Sequence, residues 1–110
     1  MTDVLRQLET TIAARRDAGV DASYVAKLNA GGTPLVARKF GEEAVELIVA
    51  ALSQDDAALV AEASDVIFHL FVLLKARGIA FAEVEAELMR RTGTSGLAEK
   101  AARTTAARKA

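Results

Sequence analysis

The sequence predicts an all-α fold, and three features of the chain indicate it. Alanine is abundant, Pro34 is the single proline, and apolar residues recur at helical spacing. Hydrophobic residues make up 52% of the 110 residues, enough for one compact domain. We predict an antiparallel bundle of four main helices in a single domain at 1–96. The basic tail at 97–110 is expected to be a short helix or partly disordered.

Start and stop signals divide the chain into four main helices and one short segment. The main helices are expected from Thr2 or Asp3 to about Asp17, from Thr33-Pro34 to about Leu52, from Asp55 or Asp56 to Arg77, and from Ala80 to Arg91. Ser23 is expected to cap a short segment at 24–30, and Thr33 to cap the helix that begins with Pro34. Gly78 suits a left-handed residue that ends the third main helix. The connection between the two central helices is short, so they should pack antiparallel.

Charge and residue usage exclude several functional classes. The formal net charge is −1, so nothing global points to nucleic acid or a membrane surface. Cysteine is absent, which removes disulfides, thiolate metal sites and cysteine nucleophiles together. The start of the chain lacks the apolar region of a signal peptide. The apolar stretch 57–74 is long enough to raise the transmembrane question, but it contains Glu62, Asp65 and His69. We therefore expect a soluble, cytoplasmic protein.

Two pairs of carboxylates lie within the two central helices. Glu43 and Glu46 are three residues apart, and so are Glu62 and Asp65, so each pair shares one helix face. In an antiparallel hairpin the two pairs lie at similar heights and can face each other. Burying carboxylates costs several kcal/mol unless they are paired or bind a metal. A solvated helix face is the alternative, but the apolar surroundings favour a site for Mg²⁺, with Mn²⁺ as a second option.

Such a site indicates chemistry on a polyphosphate. Magnesium keeps several waters and usually shares its coordination shell with substrate phosphates. Glu42 neighbours the four carboxylates and is a candidate for the general base or for an acid that supports the metal ligands without binding the metal. His69 shares the stripe of Glu62 and Asp65, but a hydrogen-bonded histidine of the core or an interface is the favoured interpretation. It is not counted as a ligand.

The acidic motifs resemble a known enzyme superfamily. Glu42-Glu43-x-x-Glu46 followed by Glu62-x-x-Asp65 is similar to the signature of the MazG-like all-α nucleotide pyrophosphohydrolases. Within that superfamily, four segments resemble phosphoribosyl-ATP pyrophosphatase of histidine biosynthesis. They are SYVAKL at 23–28, RKFGEEA at 38–44, DVIFHL at 65–70, and Arg90-Arg91 with SGLAEK at 95–100. The similarity runs from the first helix to about Arg103.

The resemblance implies an activity and a role for each matching residue. The activity is Mg²⁺-dependent hydrolysis of 1-(5-phosphoribosyl)-ATP to 1-(5-phosphoribosyl)-AMP and pyrophosphate. The metal ligands would be Glu43, Glu46, Glu62 and Asp65, with Glu42 as the acid that orients water. Phosphate contacts would come from Lys27, Arg38 and Lys39, for which surface charge or local ion pairing is the alternative.

The resemblance also implies a homo-oligomer, in the simplest case a dimer. The third main helix is apolar on nearly all faces, which a monomer of this size has difficulty covering. Dimerisation through the central helices is therefore expected.

Two other functions use the same residues. A house-cleaning hydrolase of dUTP or noncanonical nucleoside triphosphates shares the acidic motif. A non-catalytic helical dimerisation module shares the fold, but it has no reason to keep five acids on apolar helices. Turnover of phosphoribosyl-ATP against dUTP separates the two enzymes.

Overall fold

The computed structural model describes residues 3–92 together with Lys100 and Arg103, and the described part is all-helical. Five helices follow one another without a strand in these residues: α1 (Asp3–Arg16), α2 (Tyr24–Ala30), α3 (Gly32–Ser53), α4 (Asp56–Ala76) and α5 (Phe81–Arg91). The predicted all-α class is confirmed, and the short segment at 24–30 is a helix of its own. Most of the predicted tail at 97–110, and the segment at 95–96, lie outside the described residues.

Local capping explains where α2 and α4 begin. The Ser23 hydroxyl accepts a hydrogen bond from the N–H of Ala26 at 3.2 Å, and the Asp55 carboxylate accepts one from Ala58 at 2.9 Å. Each bond satisfies one of the backbone donors that a helix start leaves without a partner. Both caps agree with the sequence prediction.

The predicted start of α3 is wrong. The helix begins at Gly32, with Gly31 before it and no side-chain cap, so Thr33 lies inside the first turn. Gly32 has φ +79°, a conformation that favours glycine and lets the chain turn directly from α2 into α3. A Cβ atom at Gly31 would collide with the side chain of Leu35. Pro34 is tolerated because the first helical turn needs no intrahelical N–H donors.

The core lies where α1, α2 and the second half of α4 meet α3. Its buried members are Ile12, Val25, Leu28, Val36, Phe71 and Val72. The α5 helix joins this core through Phe81, whose ring stacks on Phe71 at a centroid distance of 4.6 Å. The Glu9 carboxylate also accepts a 2.8 Å hydrogen bond from the Phe81 N–H, which ties α5 to α1.

Helices α3 and α4 form a hairpin, and they pack against each other more extensively than any other pair of helices in the described residues. Only Gln54 and Asp55 separate the two helices, so they must run back along each other. The hairpin leaves large apolar side chains exposed, among them Val45, Ile48, Val49 and Leu52 on α3 and Val60 and Ile67 on α4.

The α4 helix is also long and apolar enough to cross a membrane. Its mean hydropathy is 1.9, and it is the one helix in the described residues that passes this test of length and composition. A single such helix is weak evidence for a membrane span. Glu62 and Asp65 near its middle argue against one.

Gly78 closes α4 in the left-handed conformation that the sequence predicts. Its φ is +70°, and the N–H of Ile79 donates to the carbonyl of Leu74 at 2.9 Å. An added Cβ would meet no atom within 4 Å at either Gly78 or Gly19. The two positions therefore differ in backbone conformation, since only Gly78 of the two has a positive φ.

We expect Gly78→Ala to lower the free energy of unfolding by about 1–2 kcal/mol, because alanine disfavours the left-handed region. Urea denaturation monitored by circular dichroism measures it. Gly19→Ala is the matched control and should be close to neutral. Equal effects of the two substitutions would contradict the strain argument.

Candidate active site

Three of the four predicted metal ligands meet across the α3–α4 hairpin. One carboxylate oxygen each from Glu43, Glu62 and Asp65 lies within 4.8 Å of the other two. Glu43 and Glu62 are half-buried and Asp65 is exposed, so the cluster is open on one side. These three residues are called the acidic trio below. Three hard oxygen donors on a rigid hairpin form a donor set that suits a small divalent cation.

Electrostatics inside the trio are unfavourable without a cation. Burial raises the pKa of the Glu62 carboxyl above its ordinary value, and the nearby charges of Glu46 and Asp65 raise it further. Burial likewise raises the pKa of Glu43, with a hydrogen bond to Glu46 and the charge of Glu46 adding to the effect. The Oε2 atom of Glu62 is buried and has no hydrogen-bond partner among the described residues. An unpartnered, desolvated carboxylate oxygen is the kind of atom that a metal ion satisfies.

Glu46, the fourth predicted ligand, lies at the edge of the trio. The residue is exposed, yet its carboxylate acts on both Glu43 and Glu62. It is therefore close to the trio, although it is not one of the three residues whose ligand atoms converge. Its role as a ligand stays a prediction.

Glu42 forms ion pairs with two of the predicted phosphate contacts, Arg38 and Lys39. The Glu42 carboxylate lies 3.3 Å from the Lys39 ammonium and 3.6 Å from the Arg38 guanidinium. Local ion pairing, the alternative that the sequence left open for these cations, is thus present in the structure. Exposed pairs of this kind contribute about 1 kcal/mol or less, so neither cation is held strongly by Glu42.

Lys27 is exposed in the last turn of α2, whereas the residues of the trio lie on α3 and α4. Its part in phosphate binding stays a prediction.

His69 is buried and fully hydrogen-bonded, in agreement with the interpretation as a core histidine. The residue is 5% exposed. Its Nδ1 lies 2.7 Å from the carbonyl oxygen of Asp65, and its Nε2 lies 3.0 Å from the hydroxyl of Tyr24. A carbonyl oxygen only accepts, so Nδ1 carries the hydrogen, and in the neutral ring Nε2 accepts from Tyr24. The imidazole thus links α2 to the turn of α4 that carries Asp65.

Tyr24 is the site residue that the sequence reasoning missed. Burial raises the pKa of its hydroxyl; Lys39 opposes this, and the charges of Glu43, Glu42 and Asp65 add to it. The ring is therefore a neighbour of the acidic cluster. Its position within the SYVAKL segment was the available signal, but nothing local showed that α2 packs against α4.

Comparison with known proteins decides which enzyme family has this site. Residues 5–92 match the family model described as phosphoribosyl-ATP pyrophosphohydrolase, a stretch that includes all five helices except the first two residues of α1. The chain belongs to the phosphoribosyl-ATP pyrophosphohydrolase family. The resemblance stated from the sequence motifs is thereby confirmed.

Curated relatives named phosphoribosyl-ATP pyrophosphatase are similar over nearly their whole length. The protein of Rhizorhabdus wittichii is 59% identical over 103 residues, which cover 94% of this chain and 97% of the relative. The protein of Erythrobacter litoralis is 58% identical over 101 residues, 92% and 97% of the two chains. The protein of Novosphingobium aromaticivorans is 58% identical over 101 residues, which cover 92% of this chain and 94% of the relative. The residues that match the family model, 5–92, span the positions of Glu43, Glu62 and Asp65.

We expect Glu62→Gln to raise the stability of the metal-free protein at neutral pH. The folded-state pKa of Glu62 is raised, so its ionisation costs stability as the pH rises through that pKa. The advantage of the glutamine variant should therefore be largest above that pKa and vanish below the ordinary pKa of a glutamate.

Thermal unfolding of both proteins in a chelator, at several pH values, measures this difference. Asp21→Asn, at an exposed loop position, is the control and should show no such trend. A glutamine variant that is less stable than the wild type at neutral pH would mean that Glu62 makes favourable contacts instead.

Proposed function

We propose that this chain hydrolyses 1-(5-phosphoribosyl)-ATP to 1-(5-phosphoribosyl)-AMP and pyrophosphate, as a step of L-histidine biosynthesis, and that it requires Mg²⁺ or Mn²⁺. Family membership supports the substrate. The acidic trio supports the metal requirement, because three ionised carboxylates with oxygen atoms within 4.8 Å of one another repel, and a cation between them would remove that repulsion. The buried, unpartnered Oε2 of Glu62 is the observation that carries the metal assignment.

The proposed ligands are Glu43, Glu62 and Asp65, with Glu46 completing the set. When bound, the metal ion supplies positive charge that offsets the triphosphate and lowers the pKa of a water molecule. Oxygen-only donors favour Mg²⁺ or Mn²⁺ over Zn²⁺.

The remaining side chains bind and orient the substrate. Arg38 and Lys39 hold the phosphates by exchanging their ion pairs with Glu42 for pairs with phosphate oxygens, and Lys27 adds a further cation from α2. Glu42, once released from these cations, accepts a proton from the attacking water or orients it. The exchange needs little energy because the existing pairs are exposed.

The chain is further proposed to be cytoplasmic, to bind neither nucleic acid nor membrane, and to act as a homodimer. Within one chain, the four main helices are proposed to form an antiparallel bundle. Val45, Ile48, Val49 and Leu52 leave 47–84% of their surface exposed on α3, an apolar stripe that a second copy would bury. Dimerisation through the central helices also accounts for the apolar outer surface of α4 without a membrane.

We expect the purified protein with Mg²⁺ to release pyrophosphate from phosphoribosyl-ATP much faster than from dUTP or other nucleoside triphosphates. Glu46→Gln and Asp65→Asn should each lose most of this activity, since each removes a proposed ligand charge. Isothermal titration with Mg²⁺ should show weaker binding to both variants, while thermal unfolding should show them folded and at least as stable as the wild type.

Asp56→Asn is the matched control for this experiment, because Asp56 is an exposed carboxylate in the first turn of the same helix. It should keep full activity. Rapid turnover of dUTP with none of phosphoribosyl-ATP would favour the house-cleaning hydrolase instead. Full activity in both Glu46→Gln and Asp65→Asn would refute the metal assignment.

We expect Ile48→Glu to convert a dimer to monomers, because a charge would be buried in the proposed apolar interface. Sedimentation velocity measures the change in mass. Ala82→Glu, on the exposed surface of α5, is the control and should leave the mass unchanged. A wild-type protein that sediments as a monomer at high concentration would exclude this interface.

A further inference from the structure

A groove next to the acidic trio has no role in the chemistry described so far. It encloses about 350 Å³, and its lining includes Arg15, Ser23, Tyr24 and Phe68. This volume lies within the range of pockets that hold small molecules in proteins. The groove combines aromatic surface with one cationic side chain, so its charge is opposite in sign to that of the acidic trio.

Tyr24 and Phe68 connect the groove to the trio. Phe68 is three residues after Asp65 on α4, so the two side chains project from neighbouring turns of one helix face. The Tyr24 hydroxyl lies 3.0 Å from His69, whose other ring nitrogen donates to the Asp65 carbonyl. The Tyr24 ring therefore lies close to the turn of α4 that carries Asp65, within reach of a ligand that extends from the trio.

The ring of Tyr24 is presented as a flat, supported surface. It stacks on Phe68 with a centroid distance of 6.2 Å and an interplanar angle of 21°. Nevertheless, 49% of the residue stays exposed. The hydrogen bond to His69 fixes the end of the side chain, so the ring does not have to be ordered when a ligand binds. An exposed aromatic face of this kind is suited to stacking on a heteroaromatic base.

Arg15 supplies the polar contact of the groove. Its side chain is exposed, and it is the one charged side chain among the described residues that line the groove. A guanidinium binds phosphate oxygens with two parallel hydrogen bonds. The trio, in contrast, repels any phosphate that is not shielded by a cation.

We propose that this groove binds the purine and the phosphoribosyl group of the substrate, with Tyr24 stacked on the purine ring and Arg15 paired with the 5′-phosphate of the phosphoribosyl group. The proposal rests on the proposed function, because phosphoribosyl-ATP has a triphosphate at one end and a second phosphate beyond the base. The trio takes the first through the metal, and Arg15 takes the second. Arg15 is then the residue that distinguishes phosphoribosyl-ATP from ATP.

Steady-state kinetics with phosphoribosyl-ATP test the two contacts. Tyr24→Leu should raise KM about tenfold or more, the usual loss when a stacked base loses its aromatic partner. Tyr24→Phe removes the hydrogen bond to His69 but keeps the ring, so its KM should rise much less than that of Tyr24→Leu. Arg15→Gln should raise KM for phosphoribosyl-ATP and leave the inhibition constant of ATP unchanged. Arg6→Gln, on the exposed surface of the same helix, should change neither.

Tyrosine fluorescence gives a second readout that does not need turnover. Tyr24 is the only tyrosine and the chain has no tryptophan, so the emission of the wild-type protein reports on this ring alone. Without Mg²⁺, 1-(5-phosphoribosyl)-AMP should quench the emission and AMP should quench it at higher concentration. In Arg15→Gln the two nucleotides should become equivalent. These measurements remain informative if Tyr24→Leu does not fold.

The outcomes separate this proposal from the proposed function. Hydrolysis of phosphoribosyl-ATP without quenching by its product, and with wild-type KM in Tyr24→Leu, would overturn the groove assignment and leave the function intact. Equal increases of KM in Tyr24→Phe and Tyr24→Leu would also overturn it, because the hydroxyl and not the ring would then matter. Quenching by AMP in a protein that does not hydrolyse phosphoribosyl-ATP would support a purine site and refute the proposed function.

Discussion

Repulsion among the carboxylates of the acidic trio is the constraint on which the site depends. Their ligand atoms lie within 4.8 Å of one another, and the surrounding structure has to hold them there. The apolar packing of α3 against α4 does so, since two helices of 22 and 21 residues are joined by only two residues. The hairpin is thus a scaffold whose packing offsets the repulsion, which the proposed cation would relieve. Because these carboxylates are already held in position, binding of the proposed cation would need little reorganisation.

The single histidine gives this scaffold its connection to the rest of the fold. A buried imidazole is tolerated because both of its nitrogens have partners, one on α4 and one on α2. The bond to the Asp65 carbonyl fixes the ring to the helix turn that carries a trio member. The bond to Tyr24 then positions α2 against that turn. His69 can therefore matter for the geometry of the site without touching the metal or the substrate.

Sequence reasoning succeeded where the information is local. Ser23 and Asp55 cap helices through residues three positions away, and Gly78 ends α4 through its own backbone conformation, so the sequence around each position is enough. The approach of Glu43 to Glu62 and Asp65 was also predictable, because helical spacing and a short connection determine which faces of a hairpin meet. The family could be inferred from the same motifs.

The errors and omissions arise from contacts between distant segments or from competing local ones. Thr33 looks like a cap, but the turn between α2 and α3 is made by the positive φ of Gly32. The contact between Tyr24 and His69 joins positions 45 residues apart, which no spacing rule detects.

Glu46 lies where the proposed metal site and the proposed dimer interface meet. The residue is exposed in the single chain, while it borders both the trio and the apolar stripe of Val45, Ile48 and Val49 on the same helix. A second copy that covers this stripe would also remove water from the neighbourhood of Glu46. Desolvation disfavours the charged carboxylate unless a cation is present. Pairing of two chains and binding of the metal would then stabilise each other, because the cation offsets the electrostatic cost that the interface creates at Glu46.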